Sequence, residues 1–230
     1  MANSRPFVVM NVAVTADGKT DTIARHGAGI SSSDDRERVD RLRAESDAVM
    51  VGGRTLLGDD PRLTIKSAAL RAERRARGLD ENPIKVAVTS SAALQLDGRF
   101  LSDGPARVML FTTEQSDPAG LAQLRQRGVQ IYVMGQRRVD LRAVLEQLWR
   151  AGVRRLLVEG GGTLNAELLH LRLVDELYVY VGPLLFGGAT APTFVDGPGW
   201  ERQAAIELQL VQVTPLADAG FVAHYRLPID

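Results

Sequence analysis

Short apolar runs alternate with helix-like segments along the first two thirds of the chain. Leu141, Val144, Leu145 and Leu148 recur at helical spacing, and Gly152 follows them as a C-cap signal. Six runs are predicted to be strands, and they cover residues 7–14, 48–52, 84–89, 107–113, 129–134 and 156–158. The first, the second and the last of these have the composition of buried strands. This alternation predicts an α/β fold with a mostly parallel, helix-covered sheet.

The C-terminal part has a different pattern. Within residues 175–188, Tyr178 and Tyr180 alternate with apolar positions, so one face of this strand is expected to be less dry than the others. Two more extended segments, 204–213 and 220–227, have no helix between them, which is typical of an antiparallel hairpin at the sheet edge. No linker rich in Pro, Gly and Ser divides the chain, so the sequence predicts a single domain over its 230 residues.

The segment 154–169, RRLLVEGGGTLNAELL, predicts a strand that passes through a glycine triplet into a helix. Glycines at such a turn allow backbone N–H groups and the positive helix end to approach a phosphate closely. Glu159 stands at the end of the strand, where open α/β sheets place their ligands, and is therefore a candidate for the reacting centre. The triplet can equally be a tight connection, because Asn165 stands where the Rossmann fingerprint requires a third glycine.

Residues 52–64, GGRTLLGDDPRLT, repeat the order of strand, glycine and hydroxyl, with Thr55 at the opening of a short helix. Two turns of this kind in one sheet suggest two contacts to a single extended, phosphate-bearing ligand. Downstream, Arg62 suits a phosphate monoester, although a surface cation is the commoner explanation.

Several polar residues have more than one interpretation. Asn11 interrupts the first apolar run, and both a satisfied core amide and a ligand contact remain open for it. Residues 31–35, SSSDD, form a cap-rich helix start, in which Asp35 taken alone is best explained as a partner of the helix dipole. The arginine-dense segment 68–78 is interpreted as the solvated face of a helix.

Composition narrows the classes of function. Lys+Arg and Asp+Glu both number 28, so the formal net charge is zero and a nucleic-acid partner is not expected. The chain has no cysteine, which excludes disulfides, thiolate zinc sites and cysteine nucleophiles and fits a cytoplasmic location. The three histidines lack a ligand spacing, so no metal site is predicted. No apolar run approaches the ~20 residues that span a bilayer, and no membrane partner is expected.

Four segments, 5–19, 29–64, 156–169 and 174–197, together resemble the pyrimidine reductases of riboflavin biosynthesis. Their combination in this order is far more specific than either glycine turn alone. The resemblance implies a dihydrofolate reductase-like fold, a three-layer sandwich whose mostly parallel sheet ends in antiparallel C-terminal edge strands. It also implies NADPH as the reductant and, because relatives are dimers, a homodimer.

The same resemblance implies residue roles. Where the family often shows Asp-Ser and a nearby Arg, this chain has Thr89-Ser90-Ser91-Ala92-Ala93, so NADH is kept as an alternative cofactor. Glu159 and Asp35 are the expected catalytic carboxylates, and Asp35 thereby becomes an expected ligand contact. The expected substrate-binding residues are Asn11, Ser31, Arg43, Arg62 and Leu63. The expected cofactor-binding residues are Gly52, Gly53, Thr55, Asp59, Ser90, Gly160, Gly161, Gly162, Thr163 and Leu164.

The implied reaction is reduction at C1′ of a pyrimidine that carries a ribosylamino 5′-phosphate, giving the ribitylamino compound. Bifunctional bacterial relatives, which reduce the deaminated uracil form, tend to have Lys where this chain has Asn11. The expected substrate is therefore 2,5-diamino-6-ribosylamino-4(3H)-pyrimidinone 5′-phosphate, with 5-amino-6-(5-phosphoribosylamino)uracil as the alternative. A dihydrofolate reductase-like paralogue with another substrate, or a nucleotide-binding module without turnover, is the competing class.

Overall fold

The computed structural model describes residues 4–92 and 95–228. Its strands are Phe7–Thr15 (β1), Ala48–Gly52 (β2), Ile84–Val88 (β3), Val108–Thr112 (β4), Gln130–Val133 (β5), Arg155–Val158 (β6), Glu176–Gly182 (β7), Gln209–Pro215 (β8) and Phe221–Arg226 (β9). Its α-helices are Ser33–Glu45 (α1), Gly53–Asp59 (α2), Ala68–Ala76 (α3), Arg99–Ser102 (α4), Pro118–Gln126 (α5), Leu141–Arg150 (α6) and Gly162–His170 (α7). A short 3-10 helix covers Arg202–Ala204. All six apolar runs form strands, each within one residue of its predicted ends.

Contacts divide the chain into two compact units. The first unit comprises Met1–Phe7 and Asp40–Leu157. Its strands follow the order β5, β4, β3, β2, β6, and the pairs β2/β3, β3/β4 and β4/β5 are parallel. Every residue of β2, β3 and β4 is buried, as their continuous apolar runs predict.

One residue of β3 is a lysine. Lys85 is only 1% exposed, and its Nζ donates to the carbonyl oxygens of Phe100 at 2.9 Å and Asp103 at 2.6 Å. Burial lowers the pKa of Lys85 to about 8, because desolvation disfavours the ammonium. The buried lysine thus connects the sheet to α4, a helix that the sequence pattern did not predict.

The second unit comprises Val8–Val39 and Val158–Asp230. Its strands β1 and β7 are parallel, whereas β7/β9 and β8/β9 are antiparallel. The α/β fold with mostly parallel strands and an antiparallel C-terminal edge is therefore confirmed. The polar residues Asn11, Tyr178 and His224 occupy matching positions on three adjacent strands, which places their side chains on one face.

Three details differ from the predicted pattern. The strand expected over 204–213 begins only at Gln209, because its partner β9 ends at Arg226, which pairs with Gln209. Tyr180 is fully buried, so the face of β7 that carries it is not more exposed to solvent at this position, contrary to the expectation from the alternating tyrosines. Arg74, in the arginine-dense helix, is buried and donates to the carbonyl oxygens of Ala44, Ser46 and Asp80.

Candidate active site

The first glycine turn lies in the first unit, at the end of β2. Gly52 closes the strand as the N-cap of α2, and Gly53 is the first residue of that helix. A Cβ at Gly53 would lie 2.6 Å from the Oγ1 atom of Thr89, which follows β3. The missing side chain therefore lets Thr89 pack against the turn. Thr55 is half-buried in α2, and Asp59 is exposed at its end.

Ser90 follows Thr89 directly and is exposed. Its backbone carbonyl accepts a hydrogen bond of 2.7 Å from Oγ1 of Thr113. Gly53 thus packs against the residue that directly precedes Ser90, although Gly53 and Ser90 are 37 positions apart in the chain. Ala93, the last residue of the segment that departs from the family pattern, lies outside the described residues.

The backbone after α2 has two residues in the left-handed region. Asp60 has φ of 42° and Leu63 has φ of 53°, an uncommon conformation for a residue with a Cβ. Burial would raise the pKa of Asp60, but the backbone N–H groups of Phe100 and Arg99 donate to its carboxylate and lower the pKa overall. Asp60 in this way caps the start of α4.

Two predicted substrate residues lie near this strained segment. Nη1 of Arg43 donates to the carbonyl of Thr64 at 2.9 Å, which ties α1 to the residue after the buried Leu63. The side chain of Arg62 is 58% exposed and lies 3.6 Å from the carboxylate of Asp103. This exposed pair matches the surface-cation interpretation of Arg62.

The second glycine turn lies in the second unit. Gly160 and Gly161 have φ of +119° and +97°, which a residue with a side chain rarely adopts. A Cβ at Gly160 would meet no atom within 4 Å, whereas a Cβ at Gly162 would lie 2.7 Å from the carboxylate of Asp196. A side chain at Gly160 would therefore have room, whereas Gly162 packs against the chain itself.

Other residues of this turn are placed as the sequence suggests. Glu159 is half-buried and follows β6 directly, at the carboxyl end of the strand. In α7, Thr163 is exposed and Leu164 is buried. Asn165 is only 1% exposed, and its Nδ2 donates to the carbonyl of Phe194 at 2.9 Å. The residue that breaks the Rossmann fingerprint thus holds a neighbouring segment against the helix.

A buried polar cluster joins β1 to the start of α1. The helix is capped by Ser32, whose Oγ accepts from the backbone N–H of Asp35 at 3.1 Å. Asp35 is fully buried, and its Oδ1 accepts from Nε of Arg38 at 3.0 Å and from Nη2 at 2.6 Å. The same Nη2 donates to Oδ1 of Asn11 at 2.7 Å. Ser31 precedes this cap and is half-buried.

Arg38, which was not predicted as a site residue, brings two predicted site residues together. Asn11 and Asp35 are 24 positions apart, and the guanidinium lies between their side chains. An available signal was the acid and base three positions apart on one helix, since such residues share a face. Within the described chain, Oδ2 of Asp35 and Nη1 of Arg38 are buried without a hydrogen-bond partner. Buried polar groups of this kind need an explanation.

Aromatic and acidic groups continue the cluster across the same face. The Arg38 guanidinium carbon lies 5.8 Å from the ring centre of Tyr178, and that ring stacks on His224 at 4.1 Å. Nε2 of His224 is 3.5 Å from the carboxylate of Glu176. The face therefore carries positive, negative and aromatic groups in a row, which suits a polar heteroaromatic ligand better than an apolar one.

A second tyrosine lies near the cluster. The hydroxyl of Tyr180 donates to the carboxylate of Asp218. Burial, followed by this hydrogen bond, raises the pKa of Tyr180, and the same bond lowers the pKa of Asp218. At neutral pH the Tyr180 hydroxyl therefore stays protonated and the Asp218 carboxylate stays ionised.

Metal sites and membrane-spanning helices each need a particular set of residues. In residues 4–92 and 95–228, no three His, Cys, Asp or Glu side chains are grouped so that they could hold a metal ion. Over the same ranges, no helix has the length and apolar character that crossing a membrane requires.

Comparison with known proteins adds independent information. The sequence profile of the RibD C-terminal domain matches residues 6–219. A 2,5-diamino-6-ribosylamino-4(3H)-pyrimidinone 5′-phosphate reductase of Archaeoglobus fulgidus is 44% identical over 203 residues, which are 88% of this chain and 92% of that protein.

Solved structures extend the similarity to the fold. RibD of Acinetobacter baumannii superposes with a TM-score of 0.80 at 24% identity, over 99% of this chain and 59% of that one. Dihydrofolate reductase of Enterococcus faecalis, solved with NADP(H), has a TM-score of 0.53 at 13% identity, over 97% of each chain. The expected dihydrofolate reductase-like fold is confirmed.

Proposed function

The chain belongs to the RibD C-terminal domain family, and on this basis we propose that it reduces 2,5-diamino-6-ribosylamino-4(3H)-pyrimidinone 5′-phosphate with NADPH. The product is the ribitylamino compound of riboflavin biosynthesis. The observation that carries the proposal is the 44% identity to an archaeal reductase of that name, over 92% of its length. The buried cluster of Asn11, Arg38 and Asp35 supports it, because such a cluster offers directed donors and acceptors to a polar substrate.

The proposed chemistry is reduction of a C=N bond. The ribosylamino group opens to an imine, C1′ accepts a hydride, and the nitrogen takes up a proton. NADPH supplies that hydride when it is bound. A nucleotide fits the second glycine turn, because Gly160 combines positive φ with open space where its Cβ would be. The chain contributes mainly by holding the reacting groups in line.

Carboxylates and amides of the chain orient the substrate in this proposal. Oδ2 of Asp35 accepts from a hydroxyl of the opened ribose, and Glu159, at the end of β6, accepts from a second hydroxyl. Asn11 donates to an acceptor of the pyrimidine. Gly52, Gly53, Thr55, Asp59 and Ser90 are proposed as cofactor contacts in the first unit, and Thr163 and Leu164 join Gly160, Gly161 and Gly162 in the second.

The remaining substrate contacts are proposals of the same kind. Ser31 extends the group around Asn11 and Asp35, and Arg43, Arg62 and Leu63 belong to the first unit. Arg62 is proposed to bind the 5′-phosphate, because its guanidinium is 58% exposed and its pair with Asp103, at 3.6 Å, is a weak surface contact. The cytoplasmic location that the composition suggests stays a prediction.

The substrate and the cofactor are tested together. Each of the two pyrimidines, the diamino compound and the deaminated uracil, is offered with NADPH and with NADH, and absorbance of the reduced nicotinamide is followed. We expect the highest kcat/KM for the diamino compound with NADPH. Equal or reversed rates for the two pyrimidines would contradict the substrate, and equal rates for the two nucleotides would contradict the cofactor preference.

We further propose a homodimer in which a second copy covers β8. Every residue of this strand is exposed, including the apolar Leu210, Val211 and Val213. β8 pairs with β9 along one edge and ends the row of strands in its unit. An exposed apolar edge strand is a template for association, and a second copy is the partner of matching chemistry.

A further inference from the structure

Arg38 makes more directed contacts in the second unit than a charge-balancing arginine needs. Two of its nitrogens bind Oδ1 of Asp35, and one of these also donates to Oδ1 of Asn11. Its side chain is 20% exposed, and that of Asp35 is 1% exposed. A charge-assisted contact in such a protected position is stronger and more directional than a surface ion pair.

The contact with Arg38 determines how the amide of Asn11 is oriented. A guanidinium carries only donors, so the Asn11 atom that lies 2.7 Å from Nη2 must be the acceptor oxygen. The reversed amide would set N–H groups against N–H groups in a buried position, which costs the full desolvation of both. The Nδ2 donors of Asn11 are therefore directed away from Arg38.

The atoms left over have complementary character. Oδ2 of Asp35 can accept, and Nη1 of Arg38 can donate; both are buried, and neither has a hydrogen-bond partner within the described residues. Together with Nδ2 of Asn11, the cluster offers two donors and one acceptor within one small region. A ligand group that combines an acceptor with a hydroxyl or N–H donor matches this set.

From this geometry we infer that Arg38 is a positioning residue of the reductase. It holds Asn11 in the orientation that donates to an acceptor of the pyrimidine, and it holds Asp35 with one oxygen free for a substrate donor. The inference rests on the proposed function, because it assigns the substrate as the ligand of the cluster. Arg38 acts on the substrate chiefly through these two neighbours.

The kinetic test uses Arg38→Lys, which keeps the positive charge but lacks the planar fork that reaches both neighbours. We expect KM for the diamino pyrimidine to rise about tenfold, with KM for NADPH changed less than about twofold, since a charge-assisted hydrogen bond is worth roughly 1.4 kcal/mol or more. Arg41→Lys is the matched control, because Arg41 is exposed on the same helix. Its KM values should not change.

A double-mutant cycle separates positioning from general structural damage. In an Asn11→Ala background, Arg38→Lys should raise KM for the pyrimidine by less than about threefold, because one of the two neighbours through which it acts is gone and only its effect on Asp35 is left. A further tenfold rise in that background would overturn the inference. Thermal unfolding of each variant verifies that the compared proteins are folded.

A measurement without turnover distinguishes this inference from the proposed function. The side-chain amide of Asn11 is assigned by NMR through its loss in Asn11→Ala, and its heteronuclear NOE reports its order on the ps–ns timescale. We expect an ordered amide in the wild type and a mobile one in Arg38→Lys. An amide equally ordered in both overturns the role of Arg38, whereas a wild-type protein that reduces neither pyrimidine refutes the proposed function only.

Discussion

At the residue scale, glycines in the two turns are required for different reasons. Gly53 and Gly162 leave space for Thr89 and Asp196 of the chain itself, whereas Gly160 combines positive φ with open space. Sequence reasoning treated all of these glycines as approaches to a ligand. The structure shows a packing reason for the missing side chain at Gly53 and Gly162, and contact of all three glycines with the cofactor stays a prediction.

Replacing Gly53 by alanine tests the packing role. The new Cβ would lie 2.6 Å from Oγ1 and 2.9 Å from Cβ of Thr89, so the turn or the strand end must shift. We expect the free energy of unfolding to fall by about 1–3 kcal/mol, as for other overpacked sites. Urea unfolding measures this loss.

The matched control lies in the same helix. A Cβ at Gly58 would meet no atom within 4 Å, and its φ is not positive. Gly58→Ala should therefore raise the free energy of unfolding by about 0.5–1 kcal/mol, because alanine loses less backbone entropy on folding. Equal effects of the two substitutions would show that contact with Thr89 is not what requires a glycine at position 53.

Replacing Glu159 by glutamine tests its proposed contact with the substrate. The amide keeps the size of the side chain but removes the negative charge, so support for the reacting centre is lost. We expect turnover to fall more than about tenfold, which corresponds to about 1.4 kcal/mol of transition-state stabilisation. Glu167→Gln, in the following helix, serves as the control. An unchanged kcat/KM for Glu159→Gln would remove Glu159 from the site.

At the scale of elements, α4 shows how a short helix depends on its surroundings. Only four residues long, it has its start capped by Asp60 and its end bound by the buried ammonium of Lys85. Nothing in the local pattern of 99–102 predicts a helix, because isolated helices of this length are unstable. The two contacts come from residues that are distant in sequence.

The lowered pKa of Lys85 predicts how the stability of the protein depends on pH. Its pKa is about 8 in the folded protein, against about 10.4 for an unfolded lysine, so the unfolded state binds more protons between these values. The wild type should therefore gain stability relative to Lys85→Met as pH rises from 8 to 10, by about 2 kcal/mol. Urea unfolding of both proteins at several pH values measures the difference. A difference that is constant over this range would contradict the lowered pKa.

At the scale of the whole molecule, β8 is the surface proposed for self-association. Val211→Lys places a charge on this edge strand, and charged residues on an edge oppose strand-to-strand pairing. We expect the mass from light scattering to change from that of a dimer to that of a monomer. Val133→Lys is the control, because Val133 is equally exposed on β5, which ends the row of strands in the other unit. If Val211→Lys still had the mass of a dimer, the proposed interface at β8 would be refuted.

The two glycine turns also belong to the scale of the whole molecule, because they lie in different units. The turn at Gly52 and Gly53 belongs to the first unit, and the turn at Gly160 to Gly162 belongs to the second. That both contact one nucleotide stays a prediction, as does the single domain. A structure with bound NADPH would test both at once, since each turn should then lie beside the nucleotide.

The sequence by itself determined the order of strands and helices other than α4, the positions of both glycine turns and the cap of α1. These features depend on residues two to four positions apart, and such residues are neighbours in any strand or helix. The resemblance of four ordered segments added the fold and the reaction. Arg38 was missed, because the spacing of Asp35 and Arg38 predicts that they share a helix face but not that the pair is buried or that the distant Asn11 joins it.

Only the tertiary structure decided which of these residues meet. Arg38 joins Asn11 to Asp35, and Thr89 packs against Gly53, through contacts between segments far apart in sequence. It also buried Arg74 and Lys85, which sequence reasoning assigns to solvent or to an apolar strand. The physical reason is that register and packing set such contacts, and both depend on the whole chain being folded, not on the nearest neighbours of each residue.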